Sequence, residues 1–212
     1  EMAKQVAHEI KNPLTPMRLS VQSFERKFDP EDPNIKEKLK EFSQTLIQQI
    51  DVMSSIASAF SDFAKMPTQK REKIDVVAVV KLALDIFNEN FISYSFTDDS
   101  LIANLDKTQL IRIVTNLITN ATQAVEQVQN PKIEVLVSSE NDTIKIAVTD
   151  NGKGIDDAVK DLIFEPKFTT KTSGMGLGLP IIKKIIEANN GSINFVSSKE
   201  KGTTFTVTLP KT

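Results

Sequence analysis

The hydrophobic positions of residues 1–64 form two stripes with the spacing of an α-helix. The first stripe consists of Met2, Val6, Ile10, Leu14, Met17, Val21, Phe24 and Phe28. The second consists of Ile35, Leu39, Phe42, Leu46, Ile50, Met53, Ala57, Phe60 and Ala64. A turn with two prolines, Asp-Pro-Glu-Asp-Pro at 29–33, separates them. The pattern predicts two long helices that form an antiparallel hairpin.

A hairpin of two helices gives each stripe only one neighbour to pack against. A second copy of the chain would complete the core as a dimeric four-helix bundle, which is the arrangement that we expect. The alternative is a monomeric hairpin that packs on the rest of the chain.

Residues 65–73 are polar and contain Pro67, which is typical of a linker. All seven glycines follow residue 150, so a turn-rich module should follow the helical one. The predicted elements are helices at 75–90, 107–128 and 180–190, the last ended by Gly191, and strands at 91–97, 132–139, 143–149, 192–198 and 203–209. We therefore predict an α+β two-layer sandwich with helices on one face of a mixed sheet. The predicted domains are the hairpin at 1–66, a linker at 67–73 and the sandwich at 74–212.

Composition narrows the possible functions. The absence of cysteine excludes disulfides and thiolate metal sites, and a single histidine disfavours a zinc site. A net charge of −2 gives no general attraction to nucleic acid, so no such partner is expected. No apolar run is long enough to span a membrane. Because the sequence starts at Glu1 within a helical pattern, we expect a fragment of a longer protein, cytoplasmic itself and attached to a membrane only through an absent N-terminal sensor region.

Three short motifs in the second module suggest a nucleotide site. Asp150 ends a strand and precedes Gly152 and Gly154, so it could accept a hydrogen bond from an exocyclic amine while the backbone approaches a flat ring. A simple turn is the alternative. Asn116 and Asn120 lie one helical turn apart, on one face, and amide oxygens suit Mg²⁺; ordinary surface amides are the alternative.

The third motif is Gly174-Met175-Gly176-Leu177-Gly178, which opens a helix. Exposed backbone N–H groups at a helix start attract anions, although a flexible turn has the same composition. The spacing fits neither a dinucleotide fingerprint nor a Walker A loop.

In their order, these motifs resemble the N, G1, F and G2 boxes of the ATP-binding domain shared by histidine kinases, Hsp90 chaperones, type II topoisomerases and MutL proteins. Residues 164–171, Phe-Glu-Pro-Lys-Phe-Thr-Thr-Lys, match the F box. The resemblance implies that Asp150 binds the adenine amine, that Asn120 with Asn116 holds Mg²⁺, and that residues 156–173 form a lid. Gln123 departs from the pattern, since many members carry a basic residue there.

The full set of nucleotide-binding residues implied by the resemblance is larger. It comprises Asn116, Asn120, Gln123, Asp150, Gly152, Gly154, Ile155, Thr170, Lys171, Gly174, Met175, Gly176, Leu177, Gly178 and Thr203. Thr170 and Lys171 would reach the phosphates from the lid, the glycine loop would cradle them, and Thr203 would support the adenine contact.

The only histidine, His8, lies on the first helix in a motif with chemical meaning. It points about 160° away from Ile10 at about 100° per residue, hence away from the apolar stripe. Glu9 is adjacent and could accept the imidazole proton, while Asn12 lies one turn away and could position a water. Pro13 removes a helical hydrogen bond and is expected to bend the helix here. An idle surface histidine is the alternative.

Residues 8–16, His-Glu-Ile-Lys-Asn-Pro-Leu-Thr-Pro, resemble the H box of bacterial sensor histidine kinases, and the H-E-x-x-N form resembles members that also act as phosphatases. Pro16 and the sequence at 120–124 are most similar to the nitrogen-regulation, NtrY/NtrB-like branch. The resemblance covers essentially all of the chain. It implies autophosphorylation of His8 by ATP–Mg²⁺ within a homodimer and phosphoryl transfer to an aspartate of a response-regulator receiver domain. Glu9 would act as the base, and Asn12 would serve in phosphatase action.

Two other functions fit part of the sequence. An ATP-dependent conformational module would need Asn120 and Asp150 but not His8, Glu9 and Asn12 together. A serine kinase with the same ATP fold would lack the histidine-bearing hairpin.

Overall fold

The computed structural model describes residues 2–64, 70–165 and 178–211, and the side chains at 2–9, 55 and 58–64 lie outside the description. The chain divides into two compact units, Glu1–Pro67 and Thr68–Thr212. Within the described ranges, none of the helices combines the length and apolar character needed to cross a membrane.

The first unit is the predicted helical hairpin. Its helices are α1, Met2–Lys27, and α2, Ile35–Ala64. The rings of Phe24 and Phe42 stack between them, with centroids 4.3 Å apart and an interplanar angle of 12°. In the turn, Asp32 accepts a hydrogen bond from the amide of Asn34 at 2.8 Å and pairs with Lys38. The hairpin is thus held by an aromatic contact between its helices and by the side-chain contacts of Asp32 in its turn.

Helix α1 runs without interruption through two prolines, Pro13 and Pro16. Because proline has no N–H group, the carbonyls of Glu9 and Asn12 lose their usual helical partners. The hydroxyl of Thr15 donates to the carbonyl of Lys11 at 3.1 Å. The stretch after His8 therefore remains helical, with two backbone carbonyls that lack the ordinary i→i−4 hydrogen bond.

The second unit has helices packed on one face of a five-stranded sheet, as predicted. Its elements are β1 Glu72–Asp75, α3 Val76–Leu84, β2 Ile92–Phe96, β3 Ile102–Leu105, α4 Lys107–Val125, β4 Ile133–Glu140, β5 Thr143–Asp150, a 3₁₀ helix Asp157–Leu162, α5 Gly178–Ala188, β6 Ser192–Ser198 and β7 Gly202–Pro210. The strand order is β2-β4-β5-β7-β6, in which β2 and β4 are parallel and the other pairs antiparallel.

The core lies between this sheet and helices α3, α4 and α5. Alternate residues of β5, namely Ile144, Ile146 and Val148, are buried, as expected for a strand with one face on a core. From α4, Leu117 and Ile118 are almost completely buried. This helix also carries the amide side chains predicted to bind nucleotide, so its packing fixes their position.

Two short strands of this unit were not predicted, and its first helix is shorter than predicted. β1 pairs with β3 in an antiparallel two-stranded sheet, with Ile74 opposite Ala103. The predicted linker at 67–73 therefore contains the first two residues of β1. The predicted helix at 75–90 is confined to α3, because Asp75 caps its start and the chain turns after Leu84.

Two helix ends also differ from the prediction. The helix predicted at 107–128 ends at Val125. After α5, the residue with left-handed backbone is Asn190, with φ of 57°, and not Gly191. Gly191 is needed for a different reason: a Cβ there would meet the carbonyl oxygen of Thr208 at 2.4 Å.

The start of the second unit is held by polar groups at the start of α4 and the end of α5. The amide of Lys70 donates to Oδ2 of Asp106 at 2.8 Å, and Nη2 of Arg71 donates to the carbonyl of Ala188 at 3.0 Å. Oδ1 of Asp106 caps α4. Nearby, Nδ2 of Asn189 donates to Oε1 of Gln109 at 3.0 Å. These contacts fix where the chain enters the sandwich.

Candidate active site

A row of polar side chains crosses three strands at one end of the sheet. Asp150 ends β5 and pairs with Thr203 of β7, which pairs with Ser197 of β6. All three are buried, with exposed fractions of 5%, 4% and 9%. The neighbouring row, Val148, Phe205 and Phe195, is hydrophobic. Paired residues on one face of a sheet have adjacent side chains. The polar row therefore lies at the edge of the hydrophobic core, on the same face of the sheet.

Asp150 has one carboxylate oxygen engaged by the backbone. Its Oδ1 accepts hydrogen bonds from the amides of Gly152, at 2.8 Å, and Thr203, at 3.3 Å. Among the described residues no donor reaches Oδ2. Burial raises the pKa of Asp150, and these two hydrogen bonds offset only part of the rise. The carboxylate is thus costly to bury and retains an oxygen that can accept from a ligand.

Glycines allow the backbone to close around Asp150. A Cβ on Gly152 would lie 2.5 Å from the carbonyl oxygen of Ala124 in α4. One on Gly154, whose φ is +68°, would lie 2.2 Å from the carbonyl oxygen of Ser198. Gly202, with φ of +94°, would place a Cβ 1.9 Å from the carbonyl oxygen of Asp150 itself. Gly152 and Gly154 were predicted from their motif, whereas the role of Gly202 was not.

Ser197 was missed by the sequence analysis. Its Oγ accepts a hydrogen bond from the amide of Ile155 at 2.8 Å, donates to the carbonyl of Gly202 at 3.1 Å and lies 2.8 Å from Oγ1 of Thr203. Its carbonyl accepts from Nζ of Lys160 at 2.8 Å. Ile155, predicted to contact nucleotide, is therefore held next to the polar row through its backbone.

The amide side chains of α4 lie at the start of α5. Nδ2 of Asn116 donates to the carbonyl of Arg112 at 2.9 Å. Its Oδ1 faces Gly178, where an added Cβ would approach it to 2.9 Å. Asn120 is partly buried on the same helix face, and Gln123 is exposed. An amide oxygen and the N-terminus of an 11-residue helix are suitable groups for a hard cation and for phosphate, respectively.

Helix α4 connects these two clusters. Ala124, near its C-terminal end, contacts the turn after Asp150, and Asn116, two turns earlier, contacts the first residue of α5. The structure thus brings Asp150, Gly152, Gly154, Ile155 and Thr203 together at one end of the sheet. Asn116 of α4 meets Gly178, the first residue of α5, about two turns away along α4. Asp150 could thus accept from an amine of a base, while Asn116 and the start of α5 could hold a cation and phosphates.

Several predicted residues lie outside the described part of the chain. They are Thr170, Lys171, Gly174, Met175, Gly176 and Leu177, with residues 166–173 of the predicted lid at 156–173. His8 and Glu9 belong to α1, but their side chains lie outside the description. Asn12 is exposed on the same helix.

Two family models match the chain. Residues 1–69 match the His Kinase A (phospho-acceptor) domain. Residues 105–212, about half of the chain, match the histidine kinase-, DNA gyrase B- and HSP90-like ATPase family. The order of the two matches is the order that the sequence analysis predicted.

Two sensor kinase relatives extend the sequence similarity over nearly all of the chain. An NtrY-like sensor histidine kinase of Rickettsia felis is 34% identical over 207 residues, which cover 95% of this chain and 34% of that protein. The nitrogen regulation protein NtrY of Azorhizobium caulinodans is 29% identical over 208 residues, covering 94% of this chain and 27% of that protein. The chain therefore spans about a third or less of the length of these two relatives.

The fold is also that of a solved kinase. The histidine kinase ThkA, crystallised in complex with the response regulator protein TrrA, matches 100% of this chain and 61% of its own, with a TM-score of 0.79 and 24% identity. At that identity the likeness concerns the fold. The two family models and the NtrY-like relative confirm the resemblance found in the sequence: the chain belongs to the sensor histidine kinase family and contains its phosphoacceptor and ATPase modules.

Proposed function

We propose that this chain is the catalytic core of a bacterial sensor kinase, which phosphorylates its own His8 from ATP and passes the phosphoryl group to an aspartate of a response regulator. The observation that supports it most strongly is the buried Asp150, which keeps one oxygen available for a ligand while the other is fixed by two amides. A buried carboxylate with a raised pKa is an expensive structural choice, and recognition of an adenine amine explains it.

The triphosphate would extend from Asp150 along α4 to the start of α5. Asn120 and Asn116 would hold Mg²⁺ through their side-chain oxygens, and the N-terminus of α5 would attract the phosphates. When bound, the cation would neutralise phosphate charge and orient the γ-phosphoryl group. Gly174 to Gly178, with Thr170, Lys171 and Gln123, would complete the phosphate contacts.

Phosphoryl transfer would form a bond between an imidazole nitrogen of His8 and the γ-phosphorus, and break the bond from that phosphorus to the bridging oxygen of ADP. Glu9 would accept the proton from the other ring nitrogen. The chain would then comprise the hairpin at 1–66, a linker that starts at Pro67 and lets the ATP-binding domain reach His8, and the ATP-binding domain, whose first strand begins at Glu72. Catalysis would depend mostly on positioning and charge neutralisation.

The hairpin would act as a homodimer. Among the described side chains of the first unit, eight large hydrophobic ones are between 43% and 56% exposed. They are Leu14, Leu19, Val21, Phe28, Leu39, Ile47, Ile50 and Val52. Two helices alone leave this surface in water, and a second hairpin would bury it in a four-helix bundle.

The lower part of the hairpin, residues 12–24 with the facing segment of α2, would receive the response regulator. Asn12, exposed on α1, would orient a water for the reverse, hydrolytic reaction on the regulator's phosphoaspartate. The sensor region, and any membrane attachment, would lie in parts of the protein beyond this chain.

Incubation with labelled ATP and Mg²⁺, followed by mapping of the label, tests the proposal. The wild-type chain should acquire a label that is stable in alkali and labile in acid. His8→Gln should lose the label and retain nucleotide binding, whereas Asp150→Ala should lose both. Stable labelling of the His8→Gln chain in alkali would show that the phosphoacceptor assignment is wrong. Nucleotide binding without labelling of the wild-type chain would favour a conformational module.

A further inference from the structure

Ser197 joins three parts of the second unit at one hydroxyl group. Its Oγ contacts the amide of Ile155, the carbonyl of Gly202 and the hydroxyl of Thr203, at 2.8, 3.1 and 2.8 Å. Ile155 belongs to the segment after β5, and the other two residues begin β7. Ser197 is only 9% exposed, so its hydroxyl group bonds mainly to these protein groups rather than to water.

The direction of these hydrogen bonds follows from the number of protons. A serine hydroxyl has one proton and two acceptor lone pairs. The amide of Ile155 can only donate to Ser197, and the carbonyl of Gly202 can only accept from it. Since the serine proton is then used, the hydroxyl proton of Thr203 must point toward Ser197. Oγ1 of Thr203 is left with acceptor lone pairs alone.

Thr203 lies beside Asp150 in the polar row, because the two residues are cross-strand partners and the amide of Thr203 binds Oδ1 of Asp150. The row therefore presents two acceptors next to each other, the hydroxyl of Thr203 and Oδ2 of Asp150. Two adjacent acceptors suit a group with two hydrogens, such as an exocyclic amine or the amine together with a water. They repel a carbonyl oxygen in the same place.

We propose that Ser197 is a positioning residue for base selection: by holding the proton of Thr203, it makes the pocket choose a 6-amino purine over a 6-oxo purine. This inference rests on the proposed nucleotide function of Asp150. It assigns the discrimination to a residue that acts through Thr203 and need not touch the nucleotide.

Ser197→Ala removes the acceptor that holds the proton of Thr203. The hydroxyl of Thr203 can then turn and donate to a carbonyl oxygen, so the variant should bind a 6-oxo purine better relative to a 6-amino purine. A purely structural role for Ser197 would weaken the binding of both nucleotides equally. The ratio of the two affinities therefore separates base selection from general loss of structure.

The experiment measures binding of ADP and of inosine diphosphate (IDP), its 6-oxo counterpart, to the complete 212-residue chain by isothermal titration calorimetry. These diphosphates differ at the 6-position and its adjoining ring nitrogen and cannot donate a γ-phosphoryl group. The preference for ADP over IDP should fall about tenfold in Ser197→Ala, the value of one hydrogen bond. Ser198→Ala, an exposed neighbour on the same strand, is the control and should keep the wild-type ratio. Ser197→Thr, which retains the hydroxyl, should also keep it.

A double variant tests whether Ser197 acts through Thr203. In a Thr203→Val background, Ser197→Ala should change the ADP-to-IDP ratio by less than about twofold, because the hydroxyl that it controls is gone. If Ser197→Ala does not fold, Ser197→Cys replaces it, since a thiol has similar size and is a weak hydrogen-bonding group.

Two results would overturn these conclusions, and they differ. If the wild-type chain binds ADP but Ser197→Ala keeps the wild-type ratio, Ser197 does not control base selection and the proposed kinase function stands. If the wild-type chain binds neither nucleotide, the proposed function itself fails.

Discussion

Asp75 and Asp150 have nearly the same backbone contacts but opposite electrostatic outcomes. Each ends a strand, and each accepts a hydrogen bond on Oδ1 from the amide two residues later, Val77 at 3.0 Å and Gly152 at 2.8 Å. Each also accepts one from a distant amide, Leu101 at 3.2 Å and Thr203 at 3.3 Å. Local geometry alone therefore does not separate a structural from a functional carboxylate.

Their surroundings explain the difference. Burial raises the pKa of Asp75, but hydrogen bonds from Leu101, Ser100, Ala78 and Val77 outweigh it, so that pKa lies below its usual value. A helix starts directly after Asp75, and its N-terminus favours negative charge. Asp150 is followed by a glycine turn, and its pKa is raised. The fold therefore stabilises the charged form of Asp75 and destabilises the charged form of Asp150.

The largest expected effect comes from Gly202, which packs against the backbone of Asp150 and distinguishes its surroundings from those of Asp75. Gly202→Ala places a Cβ against the carbonyl of Asp150 at a φ of +94°, which should cost about 3 kcal/mol of unfolding free energy. Urea unfolding measures the loss, and ADP binding should weaken as well. Lys201→Ala, in the same turn, is the control. Wild-type stability in Gly202→Ala would show that the turn can relax.

Asp150→Asn should keep the fold and lose the ligand. The amide oxygen can still accept from Gly152 and Thr203, but the NH₂ group replaces the oxygen that would face the adenine amine. We expect ADP affinity to fall about a hundredfold, as calorimetry can measure. Stability at neutral pH should not decrease, because a buried charge is removed. Unchanged affinity would mean that Asp150 is structural, like Asp75.

Asp75→Ala should show the opposite behaviour, with a loss of stability and unchanged ADP binding. Removing a helix N-cap costs about 1–2 kcal/mol. Chemical denaturation should detect this change, and Asp75→Asn, which retains an acceptor oxygen, should lose less. Loss of ADP affinity beyond about twofold at constant folded fraction would contradict the division between the two carboxylates.

The smallest effect is the pH dependence. Asp150 has a raised pKa, so its penalty is present above the folded-state pKa and disappears as the pH falls toward about 4. Asp75 has a lowered pKa, so its contribution is present above about pH 4 and is lost below it. As the pH falls, Asp150→Asn should therefore lose its stability advantage over the wild type first. The stability deficit of Asp75→Asn should shrink only at lower pH. Unfolding curves from pH 7 to pH 3 test this order.

The parts of the site that sequence predicted are those encoded over a few residues. The i, i+4 spacing of Asn116 and Asn120 follows from helix geometry, and Asp150 with Gly152 and Gly154 forms one turn. The confirmed helical hairpin likewise follows from a repeated stripe. In each case the relevant neighbours are close along the chain, so a local pattern carries the information.

The missed features depend on distant pairing. Ser197 lies 42 residues from Ile155, and its role follows from the register of β6 against β7. The strands β1 and β3 have four residues each, too short for an alternating pattern, and they pair across α3 and β2. The role of Gly202 was missed for the same reason, because its close approach to Asp150 depends on the pairing of β5 with β7.

Lys160 has a consequence for association between molecules. β6 is at the edge of the five-stranded sheet in the described structure, and Val196 on it is 79% exposed. An exposed edge strand offers unpaired carbonyl and amide groups to a strand of another molecule. By donating to the carbonyl of Ser197, Lys160 occupies one such group with a charged side chain. The contact between Lys160 and Ser197 thereby also protects the sheet against edge-to-edge aggregation.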